Sequence, residues 1–311
     1  MLKFSIVIPL FNKENYIKKT LQSVLSQSYK NFEVIVINDG STDNSLEIIK
    51  KIKDDRIRVF NQKNQGASTA RNNGVRKAKF EWVALLDADD IWFKNHLEEL
   101  YSAIQKLPEA EVISTAYQIE LHHNFIKQPA FSKTPPEQIS YIDNYFTFSL
   151  IDPLFWTSTL AFKKSCFTKI GGFDERIKSG QDSDLICRFA LKYILGYNPK
   201  ITLNHKKNTE NNLSQSGDIK SRVLFINKFK VEEKQSKSLK TYLDIDRYSL
   251  ALQAKMQKQT DIYKSIKSEI DFKNLNSKKR FLLALPSVFL RLLKKLQLLL
   301  IKFGVYKSAF N

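Results

Sequence analysis

Three carboxylates fall within four positions of LLDADD, residues 85–90: Asp87, Asp89 and Asp90 follow an apolar run. Carboxylates this close repel one another, so the loop calls for a positive partner. Asp87 and Asp89, one small residue apart, can bring two carboxylates round a hard cation. Mg²⁺ or Mn²⁺ accepts oxygen ligands and keeps positions open for substrate phosphates. The competing assignment is a polar loop whose acids favour the N-terminus of a helix beginning near Lys94. A second acidic cluster, NDGSTD at 38–43, contains more than a turn needs. Asn38, Gly40 and Ser41 make the bend and Asp43 can cap a helix, which leaves Asp39 to accept an N–H from a base. NQGASTARNNG, 64–74, adds Gly66, where a backbone can approach a ligand, and Arg71, either an anion partner or a helix-surface arginine.

Alternating strands and helices must position these clusters. Lys3–Pro9 is a β-rich run and Asn15 can open a helix reaching about Gln27. Phe32–Ile37 is the apolar, β-branched kind of strand buried in a parallel sheet. A helix from Asp43 or Asn44, a strand at Ile57–Phe60, a helix at Ala67–Ala78 and a strand at Glu81–Leu86 follow. This alternation predicts an α/β, mostly parallel, Rossmann-like sheet flanked by helices, with ligands beyond the carboxyl ends of its strands. Both acidic clusters fall there. Residues 122–150, with Pro129, Pro135 and Pro136, read as mostly loop. A helix is expected over Asp184–Tyr193, a short strand near Pro199–Leu203, and helices from Ile219 onward. The phosphate loop GxxxxGK[ST] and the dinucleotide turn GxGxxG are absent, which weakens ATPase and dehydrogenase assignments.

In combination the landmarks resemble the large inverting glycosyltransferase family called family 2, typified by bacterial cell-surface polysaccharide enzymes of lipopolysaccharide and capsule synthesis. They are FSIVIPLFN at 4–12, SVLSQSY at 23–29, FEVIVINDGSTD at 32–43, NQGASTARNNG at 64–74 and LLDADD at 85–90, with KIGGFDE at 169–175 and SGQDSDLICRFA at 179–190 as the acceptor-side block. The resemblance implies the nucleotide-diphospho-sugar fold called GT-A, with a nucleotide-sugar half over 1–115 and an acceptor half over 116–218. It implies that Pro9 and Phe11 line the nucleotide pocket, that Asp39 reads a uracil ring and that Arg71 approaches the nucleotide. Asp87 and Asp89 match the D-x-D pair, Asp89 being the closer match to the metal ligand. Asp182 matches the catalytic base; Gln181 stands where the family usually has Glu. His205 matches a histidine near the metal or diphosphate, although a histidine after a short strand is more often structural. Trp92 and Trp156 suit sugar-stacking platforms on the acceptor side, or core packing. The chemistry fits: a divalent ion stabilises a departing diphosphate, and a carboxylate takes the proton of the attacking hydroxyl in one inverting displacement. Asp182 with Ser183 could instead cap a helix.

The 311 residues carry a net charge of +18, with 42% hydrophobic and 26% charged content, as an ordered protein does. The charge is uneven: residues 219–311 hold 21 Lys and Arg against 7 Asp and Glu. This basic part reads as a helical extension whose segment 281–305 is amphipathic but too interrupted to span a bilayer. Taken as one helix, it sets Arg280, Arg291, Lys294, Lys295 and Lys302 opposite Leu285, Phe289, Leu292, Leu293, Leu296, Leu299, Leu300 and Phe303. Such a helix lies on an anionic membrane surface; packing on the catalytic domain or in a homo-oligomer is the alternative. The expected location is cytoplasmic, on the inner membrane face, near a glycan or lipid-linked glycan acceptor. Two cysteines, Cys166 and Cys187, make no disulfide framework and suit a reducing compartment. MLKFSIVIPL is too short for a signal peptide. A nucleic-acid partner is not expected, since the tail's lysines alternate with leucines and no recognition motif appears. A metal-dependent nuclease would explain the aspartates but not the other landmarks. A catalytically inactive nucleotide-sugar-binding relative would not need Asp87, Asp89 and Asp182 together.

Overall fold

The computed structural model describes residues 2–122, 125–207, 210 and 218–302. The expected parallel sheet begins with β1 (Phe4–Leu10), β2 (Phe32–Asn38), β3 (Ile57–Asn61) and β4 (Trp82–Leu85), all parallel, in spatial order β3-β2-β1-β4. Every residue of β2 is buried, as both faces of its apolar run are covered. The helices between these strands are α1 (Ile17–Leu25), α2 (Ser45–Lys50) and α3 (Ala67–Lys77). Helix α3 lies very close to β1: a Cβ on Gly74 would stand 2.2 Å from Val7 Cγ1. The absence of a side chain there lets the helix that carries Arg71 settle onto the sheet.

The chain then runs through β5 (Ile91–Trp92), α4 (His96–Lys106), β6 (Val112–His122), β7 (Phe125–Lys127), β8 (Ser140–Ile142) and α5 (Tyr145–Phe148). It continues through β9 (Leu160–Lys163), α6 (Lys164–Lys169), α7 (Gln181–Lys192) and β10 (Leu195–Lys206). The ten-stranded sheet extends past β4 in the order β9-β6-β10-β5, with β7 beside β6 and β8 beside β10. Strand β9 is antiparallel to both neighbours, and β6 and β10 run parallel to each other. The region expected as loop after residue 122 thus contributes β7, β8 and α5. Likewise the strand expected near Pro199–Leu203 is part of a longer β10, whose pairing with β6 shifts register around Ile201.

Helices α8 (Ile219–Asn227), α9 (Glu232–Gln235), α10 (Lys237–Met256), α11 (Thr260–Ser268), α12 (Ser277–Ala284) and α13 (Ser287–Lys302) follow. They share one apolar core with the sheet's flank: Phe189 of α7, Phe225 of α8, Tyr248 of α10, Leu282 of α12 and Leu290 of α13 belong to one cluster. Segment 281–305 is not one helix. Pro286 restrains Leu285 to φ −58°, ψ 141°, which ends α12 before α13 starts. The division of faces changes accordingly. Leu290 and Gln297 are buried and Leu293 packs against the core, while Val288, Phe289, Leu292, Leu296, Leu298 and Leu299 are exposed. Arg291 reaches inward, its Nη1 donating to Met256 O at 3.4 Å. Residues 303–305 lie outside the described residues. Among the described residues, no helix is long and apolar enough to cross a membrane. Cys166 and Cys187 are free and buried.

Candidate active site

Strands β1, β2 and β4 deliver their following residues to one edge. There a cleft of about 500 Å³ is lined by Pro9 near the end of β1, Phe11 and Lys13 after it, Asp39 after β2, and Asp87, Ala88 and Asp89 after β4. Gly66, which precedes α3, and Ala70 and Arg71 within it also line the cleft; the remaining lining is Trp156, residues 179–183, His205, Lys207 and Arg222. Asp39 is 2% exposed, and its carboxylate accepts the backbone N–H groups of Gln65 and Gly66 and the amide of Gln62, each at 2.8 Å. It therefore shapes the 62–66 loop as well as lining the cleft. Gly66 takes φ +93° at the start of α3, a conformation that costs any other residue.

The positive partners of the acidic loop belong to the protein. Lys13 Nζ donates to Asp89 Oδ2 at 2.7 Å. Arg71, 3% exposed, donates through Nη2 to Asp87 Oδ1 at 2.5 Å, and its Nη1 lies 3.3 Å from Asp182 Oδ1. Burial alone would lower the guanidinium pKa, but Asp87, Asp182 and Asp89 outweigh it and hold it above its ordinary value. Asp182 heads α7 behind Gly180, which takes φ +85°. Loss of solvation raises its pKa; Arg71 opposes that shift and the Asp87 charge adds to it. A carboxylate with a raised pKa and an attached cation can accept a proton without being permanently neutral.

A second, larger cavity of about 690 Å³ lies behind α3, lined by Asn72, Gly172, Phe173, Arg188 and Lys228 among others. It does not include Asp87, Asp89 or Asp182, which gather instead in the smaller cleft.

The family model for glycosyl transferase family 2 matches residues 5–170, just over half the chain. The chain belongs to glycosyl transferase family 2. An uncharacterized glycosyltransferase of Rickettsia typhi is 34% identical over 189 residues, 60% of this chain and 58% of that protein. The glycosyltransferase GlyG of Streptococcus pneumoniae serotype 4 is 40% identical over 116 residues, 36% of this chain and 38% of its own. The chain spans 14% to 58% of the lengths of the Rickettsia bellii, typhi and felis relatives it matches. Among solved structures, S. aureus TarS 1–349 in complex with UDP-GlcNAc superposes with a TM-score of 0.69 at 19% identity, covering 88% of this chain and 83% of that one. That likeness establishes the shared GT-A fold.

Within the family 2 frame, Pro9, Phe11, Asp39, Arg71, Asp87, Asp89, Trp156, Gln181, Asp182 and His205 all line the one cleft. Trp92 does not. It is 2% exposed, donates its indole N–H to Ser158 O at 2.6 Å and stacks on His96 with centroids 4.0 Å apart. The expectation that it forms an acceptor platform is corrected: it is a core residue whose polar atom is spent internally. Trp156 does line the cleft, leaning on His205 (4.2 Å) and Tyr117 (5.4 Å).

The expected metal set also changes. Among the described residues no three His, Cys, Asp or Glu side chains gather closely enough to enclose a cation, so Asp89, Asp87 and His205 are not a ready-made cage. The reason is local. His205 Nδ1 bonds to Asp90 Oδ1 at 2.9 Å, and Asp90 is fully buried. Burial presses the imidazole towards neutrality, but Asp90, Asp89 and Asp87 hold it above its ordinary pKa. Asp90 Oδ2 also accepts from Ser158 Oγ at 2.6 Å, and Ser158 Oγ in turn accepts the Asp87 N–H at 3.0 Å. Asp90 and Ser158 therefore fix the acidic loop, and His205 is held by that frame. Sequence reasoning counted Asp90 among the acidic residues but gave it no role, and it missed Ser158 and Lys13. The third carboxylate of DADD and the lysine of FNK were the available signals; Ser158 carried none.

Proposed function

We propose that this chain is an inverting glycosyltransferase that moves a sugar from a nucleotide-diphospho-sugar, with UDP as the nucleotide, to a hydroxyl of a glycan or lipid-linked glycan in cell-surface polysaccharide synthesis. The observation that carries the reading is the Arg71 guanidinium, which joins Asp87 of the D-x-D pair to Asp182 within one cleft. Donor-binding and proton-accepting carboxylates thereby face the same space. Pro9, Phe11 and Asp39 would receive the nucleotide. The hydroxyl of the acceptor would approach from the Trp156 and Gln181 wall and give its proton to Asp182 as it attacks C1. Retained function is favoured over an inactive relative because all three carboxylates are present and oriented to the cleft.

A divalent ion fits the donor set in one form. Hard carboxylate oxygens from Asp89 and Asp87 suit Mg²⁺ or Mn²⁺ when substrate phosphates complete the shell, as these ions commonly bind; a closed all-protein site does not fit. Asp89 would be the principal ligand, displacing Lys13. Bound there, the ion would supply charge neutralisation for the departing diphosphate. Lys13 and Arg71 remain beside the same carboxylates, where they can meet phosphate oxygens.

The exposed apolar face of α13 supports peripheral attachment to a membrane surface. Incubation with UDP-, GDP- and TDP-sugars plus Mn²⁺, followed by product analysis, tests the transfer. UDP-sugar turnover with inverted anomeric configuration is expected, with loss on Asp89→Ala or in excess EDTA. A retained configuration overturns the mechanism, and full activity of the variant or in EDTA overturns the metal assignment.

A further inference from the structure

The part of the chain that matches family 2 ends at residue 170, and Asp182 stands beyond it, in the first turn of α7. What holds that turn comes from the helices after β10. A Cβ on Gly180 would stand 3.5 Å from Arg222 Cγ and 3.6 Å from Phe225 Cδ1, so α8 packs directly on the residue that opens α7. The Arg222 guanidinium is paired in turn with Asp246 of α10. On the other side of Asp182, Ser183 hydrogen-bonds to the hydroxyl of Tyr242. Tyr242 and Asp246 are four residues apart and share one face of α10. Asp182 thus sits between two fixed points, and both lead back to the same helix.

Stability alone does not account for Asp246. Its Oδ1 meets Arg222, while its buried Oδ2 has no hydrogen-bond partner. Burial raises the pKa of the Tyr242 hydroxyl and of the Cys187 thiol of α7, and the Asp246 charge adds to both rises. A carboxylate in that setting burdens its neighbours. Largely buried ion pairs seldom stabilise a fold more than apolar residues of the same volume would, but they fix a geometry. Neither Tyr242 nor Asp246 lines the cleft, so neither can touch substrate directly.

We propose that Asp246 and Tyr242 are positioning residues of the transfer, which act through Arg222 and Ser183 to hold the first turn of α7, and with it the Asp182 carboxylate, where the attacking hydroxyl gives up its proton. The inference rests on the transferase reading and extends the working site to α10. Displacement of a reacting group by about 1 Å can cost about 10²-fold in rate.

UDP release from UDP-glucose and UDP-GlcNAc with Mn²⁺, water serving as acceptor, tests the proposal in the full chain. Water oxygen bonds to C1 as the C1–O bond to the diphosphate breaks, and Asp182 takes the proton, so hydrolysis reads the same placement. Asp246→Asn removes the charge facing Arg222, and Tyr242→Phe removes only a hydroxyl. Each should lower kcat about ten-fold or more and leave KM and UDP affinity within about two-fold. Asp246→Glu, which restores the charge, should recover part of the loss. In an Asp182→Asn background the same substitutions should change the residual rate less than about two-fold, because their effect passes through the group already removed. Equal losses in both backgrounds, or a rise in KM without a fall in kcat, overturn the proposal. Tyr242→Phe, which leaves the ion pair intact, serves where Asp246→Asn does not fold.

Hydrogen exchange decides the matter independently of turnover. The Asp184 N–H donates to Gly180 O at 2.9 Å and closes the first turn of α7. Its exchange should quicken about five-fold in either variant, as expected for one lost hydrogen bond; an unchanged rate in both overturns the proposal. Failure of the wild type to bind UDP, or a loss under ten-fold in Asp182→Asn alone, counts against the transferase reading instead, and the exchange rate still shows whether α10 holds the turn.

Discussion

Asp182→Asn separates the proposed proton acceptor from its surroundings more cleanly than any other change. The amide keeps the size of the carboxylate and removes its basicity. General-base contributions are commonly about 10²–10⁴-fold, or about 3–5 kcal/mol of transition-state stabilisation. The structure adds a second expectation of opposite sign. Asp182 has a folded-state pKa raised chiefly by burial. A carboxylate of that kind favours the folded state below its unfolded pKa and loses that contribution as pH rises through the folded value. The side chain is 36% exposed, so solvent screens most of that penalty at neutral pH, and in the variant Arg71 keeps Asp87 as its partner at 2.5 Å. Turnover should fall at least a hundred-fold, UDP affinity should hold, and the thermal midpoint of the ligand-free protein at pH 7 should equal or exceed that of the wild type. Stopped assays of transfer, UDP titration and calorimetric melts on the same preparations measure all three. A loss under ten-fold would refute the base assignment, with Asp184 disfavoured as the substitute because Arg188 and Lys228 already hold it. A midpoint several degrees lower would refute the electrostatic account.

Other consequences follow from the scaffold. Replacing Phe289, Leu292 and Leu296 together with Gln should leave the melt unchanged, since all three are exposed, and should reduce co-sedimentation with anionic liposomes; undiminished sedimentation would remove the membrane role of α13. Gly74→Ala forces a Cβ to 2.2 Å from Val7 Cγ1 and should cost about 1–3 kcal/mol in denaturant unfolding; a neutral effect would mean that α3 can shift without penalty. His96 is fully buried and its pKa is lowered by burial to about 3. The unfolded chain therefore binds its proton first as pH falls below about 6.5, costing the wild type about 1.4 kcal/mol per pH unit between there and the folded value. Relative to His96→Gln, the wild type should lose stability along that slope; parallel curves would contradict a neutral buried imidazole.

The N-terminal half was legible because its strands are buried on both faces and its helices begin at recognisable turns. FEVIVIN is apolar throughout, so its identity as a central strand needed no tertiary information. Strands β7 and β8 escaped because each is three residues long, and their stability comes from partners distant in sequence. The acidic loop was legible as an acidic loop, but side-chain pairings are not a property of spacing. Nothing in DADD distinguishes Asp90, buried under Ser158 and His205, from Asp89, which faces the cleft. Trp92 failed for the same reason: an aromatic next to an acidic loop looks the same in sequence whether its ring enters the cleft or the core. In 281–305, helical periodicity found the apolar stripe but treated Pro286 as a passenger, and so misjudged which leucines turn inward.

The question raised by three neighbouring carboxylates has a more specific answer than a metal ion. Each of the three already has a counter-charge or proton donor from elsewhere in the chain: Lys13 for Asp89, Arg71 for Asp87, and His205 with Ser158 for Asp90. These partners are not equivalent. Asp90 is sealed beneath the loop, and breaking its contacts would leave a charge stranded in the core, a cost of several kcal/mol. Asp89 and Lys13 meet at the cleft wall, with side chains 14% and 11% exposed, where incoming phosphates and a cation can take over both halves of the pair. Arg71 lies between, too deeply buried to leave but bound to two carboxylates at once. The loop is thereby rigid where it meets the core and exchangeable where it meets substrate. A diphosphate entering with its cation would trade one neutral pair for two, Asp89 with the cation and Lys13 with a phosphate. That exchange desolvates little that was not already desolvated, and it leaves Arg71 in place to hold Asp87 and Asp182 at a fixed separation through the reaction.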